Sequence, residues 1–278
     1  MQKYKKIGYV SLMLLVFVGC EDIITVDLNY ADPTTVIEAT ITDDNTPSRV
    51  VVTKSTDFYT PGVYPSASDA LITVSDSEGT TYKFNQVEDG VYENASLISK
   101  PNVKYSIEVF AEGKTYNAAS TVPNKLIIDS LSLEEAINRP GTKEGTQRFT
   151  LHVHFQDQPG IEDYGRVKIY SNGVQLGGFI IYSDKYTDGN EIDFRITLST
   201  ERDEINIGDL ITVELFSIDK AAFNYYLTAN SVNATGSNGR GPSSTSAAPT
   251  NPVTNWSNKA LGFFSAYTIS KKEIILLL

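Results

Sequence analysis

Cysteine and histidine are scarce in this 278-residue chain, which has one cysteine and two histidines. A single cysteine excludes an internal disulfide, so the chain is not a disulfide-stabilised module. Neither the Gly-x-Ser-x-Gly motif of esterases nor the His-Glu-x-x-His motif of zinc proteases occurs. The sequence therefore predicts a protein that is not an enzyme and has no cofactor. A carboxylate-only glycosidase remains an alternative, because paired Asp and Glu residues have no local signature.

A membrane-spanning apolar run is also lacking. The N-terminal run at residues 7–19 forms a helix of roughly 20 Å at most, well short of the ~30 Å hydrocarbon core of a bilayer. Lys3, Lys5 and Lys6 precede it, and a basic start followed by a short apolar stretch is typical of a secretory signal peptide. We therefore expect residues 1–19 to be a signal peptide.

The residues around the only cysteine predict how the chain is anchored. The stretch Phe17-Val18-Gly19-Cys20 resembles the lipobox of bacterial lipoproteins, although Phe17 departs from the commoner leucine. That resemblance implies that the Cys20 sulfur takes diacylglycerol before cleavage, so that Cys20 becomes the lipid-anchored mature N-terminus and the membrane its partner. The alternative is an ordinary apolar residue or a free thiol.

Basic residues are few relative to acidic ones. The first 19 residues carry three of the 23 basic residues and no acidic one, so the remaining 259 residues have 20 basic and 34 acidic side chains, a net charge of −14. Such a surface repels nucleic acid and anionic lipid head groups. We therefore expect no nucleic-acid partner. Glu21 and Asp22 resemble the export signal of surface lipoproteins in Bacteroidetes, and a merely solvated linker is the alternative.

Alternating apolar and polar residues follow a polar tether at residues 20–34 and predict an all-β fold. Short strands separated by turn residues favour an immunoglobulin-like antiparallel β-sandwich over residues 35–124. The strands are predicted at residues 36–41, 49–54, 70–74, 81–84, 105–111 and 115–119.

Residues 125–278 are predicted to form a second β-rich domain that carries one helix. The helix is expected near residues 218–230, with Ser217 as its cap and Asp219 near its start. A long loop rich in Ser, Asn, Gly and Pro follows at residues 231–252. We expect a strand at about residues 262–269 and a final buried or edge strand in the apolar C-terminus, which is too short to cross a bilayer.

The two histidines stand at positions i and i+2 of a predicted strand, so the side chains of His152 and His154 share one face. A two-ligand metal site is geometrically possible there. The opposite face holds Leu151, Val153 and Phe155, which places the histidines in solvent, and no nearby Cys or His offers a third ligand. We interpret them as exposed structural histidines, and a metal site is the alternative.

Other polar segments predict turns and surface modification. Asp43-Asp44-Asn45 and residues 184–191 are rich in oxygen ligands for calcium, but neither follows the spacing of an EF-hand, and turn chemistry accounts for both. Asp129-Ser130-Leu131 resembles the short O-glycosylation motif of exported Bacteroidetes proteins.

The loop at residues 57–65 contains two prolines and three aromatic residues, Phe58, Tyr59 and Tyr64. Aromatic side chains in an exposed loop can stack on a sugar or bind a partner protein. The alternative is that they fold back and cover the end of the sandwich. These three residues are the candidate contacts to a partner or ligand.

Several segments, in their order along the chain, resemble a lipoprotein family of Bacteroidetes catalogued as domain of unknown function 4249. They are Cys20-Glu21-Asp22, Val26-Asp27-Leu28, Val36-Ile37-Glu38-Ala39, Ile41-Thr42-Asp43-Asp44, Ala70-Leu71-Ile72-Thr73-Val74, Gly79, Gly90-Val91-Tyr92, Tyr105, Tyr116-Asn117-Ala118, Val122-Pro123, Phe155-Gln156-Asp157, Tyr164, Asn251-Pro252 and Leu261-Gly262-Phe263-Phe264. Asn258-Lys259-Ala260 departs from the glycine-rich form expected before Leu261.

The family resemblance implies an outer-membrane lipoprotein with an immunoglobulin-like sandwich and a second β-rich domain, often associated with TonB-dependent transporters. It implies no catalytic residue, cofactor or known ligand. We therefore expect a lipid-anchored protein of the outer membrane, exposed at the cell surface, that acts as a non-catalytic binding or accessory component beside such a transporter. The alternative is a structural or adhesive lipoprotein of the cell envelope without a transporter partner.

Overall fold

The computed structural model describes residues 32–56, 62, 64–138, 140–178, 180–234 and 251–277. Within these residues the alternating segments form seventeen strands, β1–β17, and one helix, α1, lies between β15 and β16. Contacts divide the chain at residue 32, and these strands and the helix all lie in the unit Pro33–Leu278. The predicted all-β fold is confirmed.

The strands before residue 125 are β1 Thr35–Ile41, β2 Ser48–Lys54, β3 Leu71–Asp76, β4 Thr81–Lys83, β5 Asn85–Glu88, β6 Val91–Asn94, β7 Lys104–Ala111 and β8 Lys114–Thr121. The later elements are β9 Ile128–Glu135, β10 Arg148–Gln156, β11 Tyr164–Ser171, β12 Val174–Gln175, β13 Ile180–Ser183, β14 Glu191–Ser199, β15 Leu210–Ser217, α1 Lys220–Ala234, β16 Phe264–Ala266 and β17 Thr268–Ile275.

The first sandwich packs a sheet of order β16-β1-β2-β6-β5 on a sheet of order β4-β3-β7-β8. Residues at every second position point inward, so Ile37 and Ile41 from one sheet share a core with Ile107 and Val109 from the other. The immunoglobulin-like sandwich predicted from this alternation is therefore present.

The second sandwich packs the sheet β14-β10-β9 on the sheet β12-β11-β15-β17, and β13 pairs with β11. Leu151, Val153 and Phe155 of β10 point into a core shared with Val213 and Leu215 of β15. Because these residues point into the core, the alternate residues of β10, which include both histidines, point to the outer face of the sheet.

The segment before β17 completes the first sandwich, whereas the sequence predicted that it belongs to the second β-rich domain at residues 125–278. Strand β16 runs parallel to β1, with Ala39 opposite Phe264, and the buried Trp256 belongs to the first core. The predicted strand at residues 262–269 is divided between β16 and β17. Strand β17 is the edge strand of its sheet, and it includes only Ile274 and Ile275 of the apolar C-terminus that was predicted to form a separate final strand.

Helix α1 begins later than predicted, and its cap differs. The backbone N–H of Ala222 donates to Asp219 Oδ1 at 2.8 Å, so Asp219 is the capping residue. Ser217 is instead buried at the end of β15, where its Oγ accepts a hydrogen bond from the Leu126 N–H. Periodicity predicted the position of the helix, but it could not show that Ser217 bonds to the distant Leu126 and so does not cap the helix. No helix among the described residues is long and apolar enough to span a bilayer.

Candidate functional site

The residues predicted to anchor the chain and contact a partner lie mostly outside the described residues. Cys20, Phe58 and Tyr59 are in this group, as are residues 235–250 of the predicted long loop. Tyr64 is described, and 61% of its surface is exposed. The clusters of titratable side chains with the composition of a site lie in the second sandwich.

The first of these sites is a histidine cluster, formed by His152, His154, Asp193 and their hydrogen-bonding partners on the outer face of strands β9, β10 and β14. His154 lies directly opposite Asp193 in the β10–β14 ladder, and His152 is opposite Arg195. The expectation that both histidines are exposed is wrong for His152, whose surface is only 9% accessible. Side chains of the two neighbouring strands cover it, which periodicity within one strand does not reveal.

Both imidazoles direct Nδ1 toward the same carboxylate oxygen. His152 Nδ1 lies 2.7 Å from Asp193 Oδ1, and His154 Nδ1 lies 4.0 Å from that atom. The rings are nearly parallel, with 5.9 Å between their centroids. The other ring nitrogens face strand β9: His152 Nε2 is 3.1 Å from Glu134 Oε1, and His154 Nε2 is 3.2 Å from Ser132 Oγ.

The charges of the cluster favour a protonated His152 in the absence of other ligands. Burial lowers the pKa of His152, but its hydrogen bonds to Asp193 and Glu134 outweigh that effect and raise the pKa above its usual value. Burial raises the pKa of Asp193, and hydrogen bonds from Arg195 and His152 lower it overall. Arg195 donates to Asp193 Oδ2 at 2.7 Å and leaves Oδ1 to the histidines.

The cluster also has the composition of a metal site. His152, His154 and Asp193 each offer a ligand atom, and these atoms lie within 4.8 Å of one another. The sequence pointed to the two histidines but missed the carboxylate, which is 41 residues from His152. Only the pairing of β10 with β14 brings it into the site.

A second polar group, the acidic cluster, consists of Asp157, Asp163, Asp184 and Asp188 at one end of the second sandwich. The first three are buried. The N–H of Gly189 donates to Asp157 Oδ2 at 2.8 Å, and the N–H of Asp163 donates to Asp184 Oδ2 at 2.9 Å. The spacing of Asp157, Asp184 and Asp188 would fit a cation, but their backbone hydrogen bonds are the predicted turn chemistry.

Burial gives the acidic cluster unusual proton affinity. Burial and the neighbouring carboxylates of Asp157 and Asp184 together raise the pKa of Asp163 to about 6, against the opposing hydrogen bond from the Gln158 N–H. Burial also raises the pKa of Asp157. Asp157 and Asp163 therefore bind protons more tightly than free carboxylates do, and the cluster connects two loops.

The predicted acidic turn at Asp43 joins the two sandwiches. Asp43 Oδ1 accepts a hydrogen bond from the Ile269 N–H at 2.7 Å, and its Oδ2 pairs with Lys125 Nζ at 2.7 Å. Asp44 Oδ1 accepts from the Thr46 N–H at 3.0 Å, which closes the turn. These contacts account for both carboxylates without a bound ion.

A cleft of about 830 Å³ opens between the two sheets of the second sandwich. We call it the β11–β14 cleft. Its floor is formed by Val167, Ile169, Ile196 and Leu198, all buried, and its rim is polar. The rim includes Gln175, Arg202, Asp203 and Asn206. An apolar floor, a few polar rim groups and this volume are usual for a small-molecule pocket.

Comparisons with known proteins identify a family. The family model described as "Domain of unknown function (DUF4249)" matches residues 21–273. No curated protein matches the chain. Among solved structures, the chain is similar to a two fibronectin type-III domain segment from chicken tenascin, with 15% identity and a TM-score of 0.22. The match covers 67% of this chain and 91% of the tenascin segment.

Proposed function

This chain belongs to the DUF4249 family, and we propose that it is a lipid-anchored, non-catalytic binding component of the outer membrane, exposed at the cell surface, that works beside a TonB-dependent transporter. The β11–β14 cleft is the observation that carries the binding role. The transporter partnership is proposed because the family that the chain resembles is often associated with TonB-dependent transporters.

The β11–β14 cleft supports capture of a small, partly apolar molecule. Its floor is provided by side chains of two different sheets, so its shape is set by the sandwich core rather than by one loop. Arg202 and Asp203 on the rim are paired with each other at 2.7 Å, which holds both side chains in place. A preformed pocket of this kind binds without the cost of ordering its walls.

The anchor supports the accessory role. A lipid on Cys20 would confine the protein to the membrane that holds the transporter, and confinement raises the local concentration of one partner around the other. Weak contacts then suffice for cargo transfer. Phe58, Tyr59 and Tyr64 remain the candidate contacts to the transporter or the cargo.

Affinity purification of the full-length protein from its native membranes tests the transporter partnership. We expect a TonB-dependent barrel to be recovered with the wild-type protein, and its yield to drop when Cys20→Ser prevents anchoring. Recovery of the protein without any barrel would contradict the partnership and favour the structural or adhesive alternative.

Native mass spectrometry of the same preparation tests the cleft. We expect an additional bound mass on the wild-type protein that is lost in Gln175→Trp, because an indole on the rim blocks the entrance. The matched control is Gln86→Trp on the exposed strand β5 of the first sandwich, which should retain the mass. Equal occupancy in both variants would exclude the cleft as the binding site.

A further inference from the structure

We propose that His152, His154 and Asp193 bind a divalent transition-metal ion, of the class of Zn²⁺, on the outer face of the second sandwich. The proposal is independent of the transporter partnership and of the β11–β14 cleft. It rests on the direction of three ligand atoms and on the partners that hold their side chains.

The ligand types select the class of metal. Two imidazole nitrogens and one carboxylate oxygen suit zinc and its neighbours in the first transition series. Calcium and magnesium prefer sites made of oxygen ligands alone, so they fit this cluster poorly. The acidic cluster, which has only oxygen ligands, provides an internal comparison within the same sandwich.

The distances are close to those of a three-ligand zinc site. Ligand atoms at 2.0–2.2 Å from a tetrahedral ion lie about 3.3 Å from one another. The two Nδ1 atoms now lie 2.7 Å and 4.0 Å from Asp193 Oδ1, one below and one above that value. The strand pairing fixes the three Cα positions, so only the side chains have to rotate for both separations to approach that value.

The surrounding hydrogen bonds support Nδ1 as the ligand atom of both rings. With Nδ1 bound to metal, Nε2–H of His152 faces Glu134 Oε1 at 3.1 Å, and Nε2–H of His154 faces Ser132 Oγ at 3.2 Å. Metal-bound histidines commonly donate their other N–H to such a partner, which fixes the tautomer and the ring orientation.

Hydrogen bonds also fix the orientation of the Asp193 carboxylate. Arg195 donates to Oδ2 from both Nε and Nη2, each at 2.7 Å, so Oδ1 is directed toward the imidazoles. With neutral imidazoles, the carboxylates of Asp193 and Glu134 and the guanidinium of Arg195 give the cluster a net charge of −1. This negative charge favours the binding of a cation. The His154 side chain is 27% exposed, so a fourth position is open to water.

Isothermal titration of ZnCl₂ into the EDTA-treated full-length protein tests the proposal. We expect saturation at one equivalent, and at least tenfold weaker binding in His154→Ala and in Asp193→Asn. Glu134→Gln should weaken binding about tenfold, because it alters only the partner of His152. Asp188→Asn in the acidic cluster is the matched control and should bind zinc as the wild type does.

The thermal unfolding of each variant, followed by circular dichroism, shows whether its fold is intact. His154 is the safest position to change, because it is more exposed than the buried His152. Zinc should raise the unfolding temperature of the wild type and of Asp188→Asn, but not that of His154→Ala. Absence of zinc binding by the wild type would overturn the proposal. So would unchanged binding in His154→Ala, or binding that is lost only in Asp188→Asn.

Discussion

The indole Nε1–H of Trp256 donates a hydrogen bond to the carbonyl oxygen of Ile37 at 2.9 Å, across 219 positions of the chain. The ring is buried in the core of the first sandwich, with its centroid 6.3 Å from that of Phe264. The first sandwich is therefore completed by residues that follow most of the second sandwich in the chain, so its core lacks Trp256 and Phe264 when this segment is absent.

Replacing Trp256 by phenylalanine tests the contribution of this hydrogen bond. Trp256→Phe keeps an aromatic ring in the core but removes the N–H, and the smaller ring leaves space. We expect the free energy of unfolding to fall by about 1–3 kcal/mol. Urea denaturation followed by circular dichroism measures it, because the chain has no other tryptophan to report fluorescence. An unchanged midpoint would show that the bond is dispensable.

Gly262 permits the close approach of this segment to β1. Its φ is +84°, and a Cβ at this position would overlap the backbone carbonyl of Ile37. We expect Gly262→Ala to lower the free energy of unfolding by about 3 kcal/mol or more, through backbone strain and this overlap.

The matched control for Gly262→Ala is Gly79→Ala. Gly79 also has a positive φ, +94°, but a Cβ there meets open space. Its substitution should cost only about 1 kcal/mol. Equal losses for the two variants in urea denaturation would contradict the argument from close approach.

Asp219 connects the helix cap to the contact between the sandwiches. Its Oδ1 accepts from the Ala222 N–H, and its Oδ2 accepts from Ser120 Oγ at 2.7 Å. Asp219→Ala should lower the free energy of unfolding by about 2–3 kcal/mol. Asp219→Ser keeps a cap but cannot reach Ser120, so it should recover about 1 kcal/mol. A serine variant as unstable as the alanine variant would argue against capping.

The buried Asp163 predicts a pH dependence of stability. Its pKa is raised to about 6, above its unfolded value, so the folded state binds this proton more tightly and stability falls as pH rises from about 4 to 6. Asp163→Asn should reduce this slope, to which Asp157 and His152 also contribute because their pKa values are raised as well, and should stabilise the protein at pH 7.5 by about 2 kcal/mol. Urea denaturation between pH 4 and 7.5 in EDTA measures it.

The control for the pH prediction is Asp188→Asn, since Asp188 belongs to the same cluster but is exposed. This variant should keep the slope of the wild type. A slope that persists unchanged in Asp163→Asn would assign it to another group.

Features that depend on local periodicity could be predicted from the sequence. The first strand was expected at residues 36–41 and is observed at Thr35–Ile41, because alternation of Ile37, Ala39 and Ile41 with polar residues is local information. The inward face of β10 followed from the same rule. The apolar stripe predicted a helix near residues 218–230, and the observed helix begins two residues later, at Lys220.

Features that depend on pairing of distant segments could not be predicted. The parallel ladder between β1 and β16 joins residues more than two hundred positions apart, and periodicity does not encode which strands pair. Asp193 likewise lies beside the histidines only because β14 pairs with β10. His152 was expected in solvent because one strand does not reveal the side chains on its neighbours.

The central claim is that Cys20 carries the lipid that holds this binding module at the outer membrane. Metabolic labelling with a clickable palmitate analogue, followed by purification of the protein, tests it directly. We expect label on the wild-type protein in the outer-membrane fraction and none on Cys20→Ser. A wild-type protein that is exported with an unlabelled Cys20 would contradict the account.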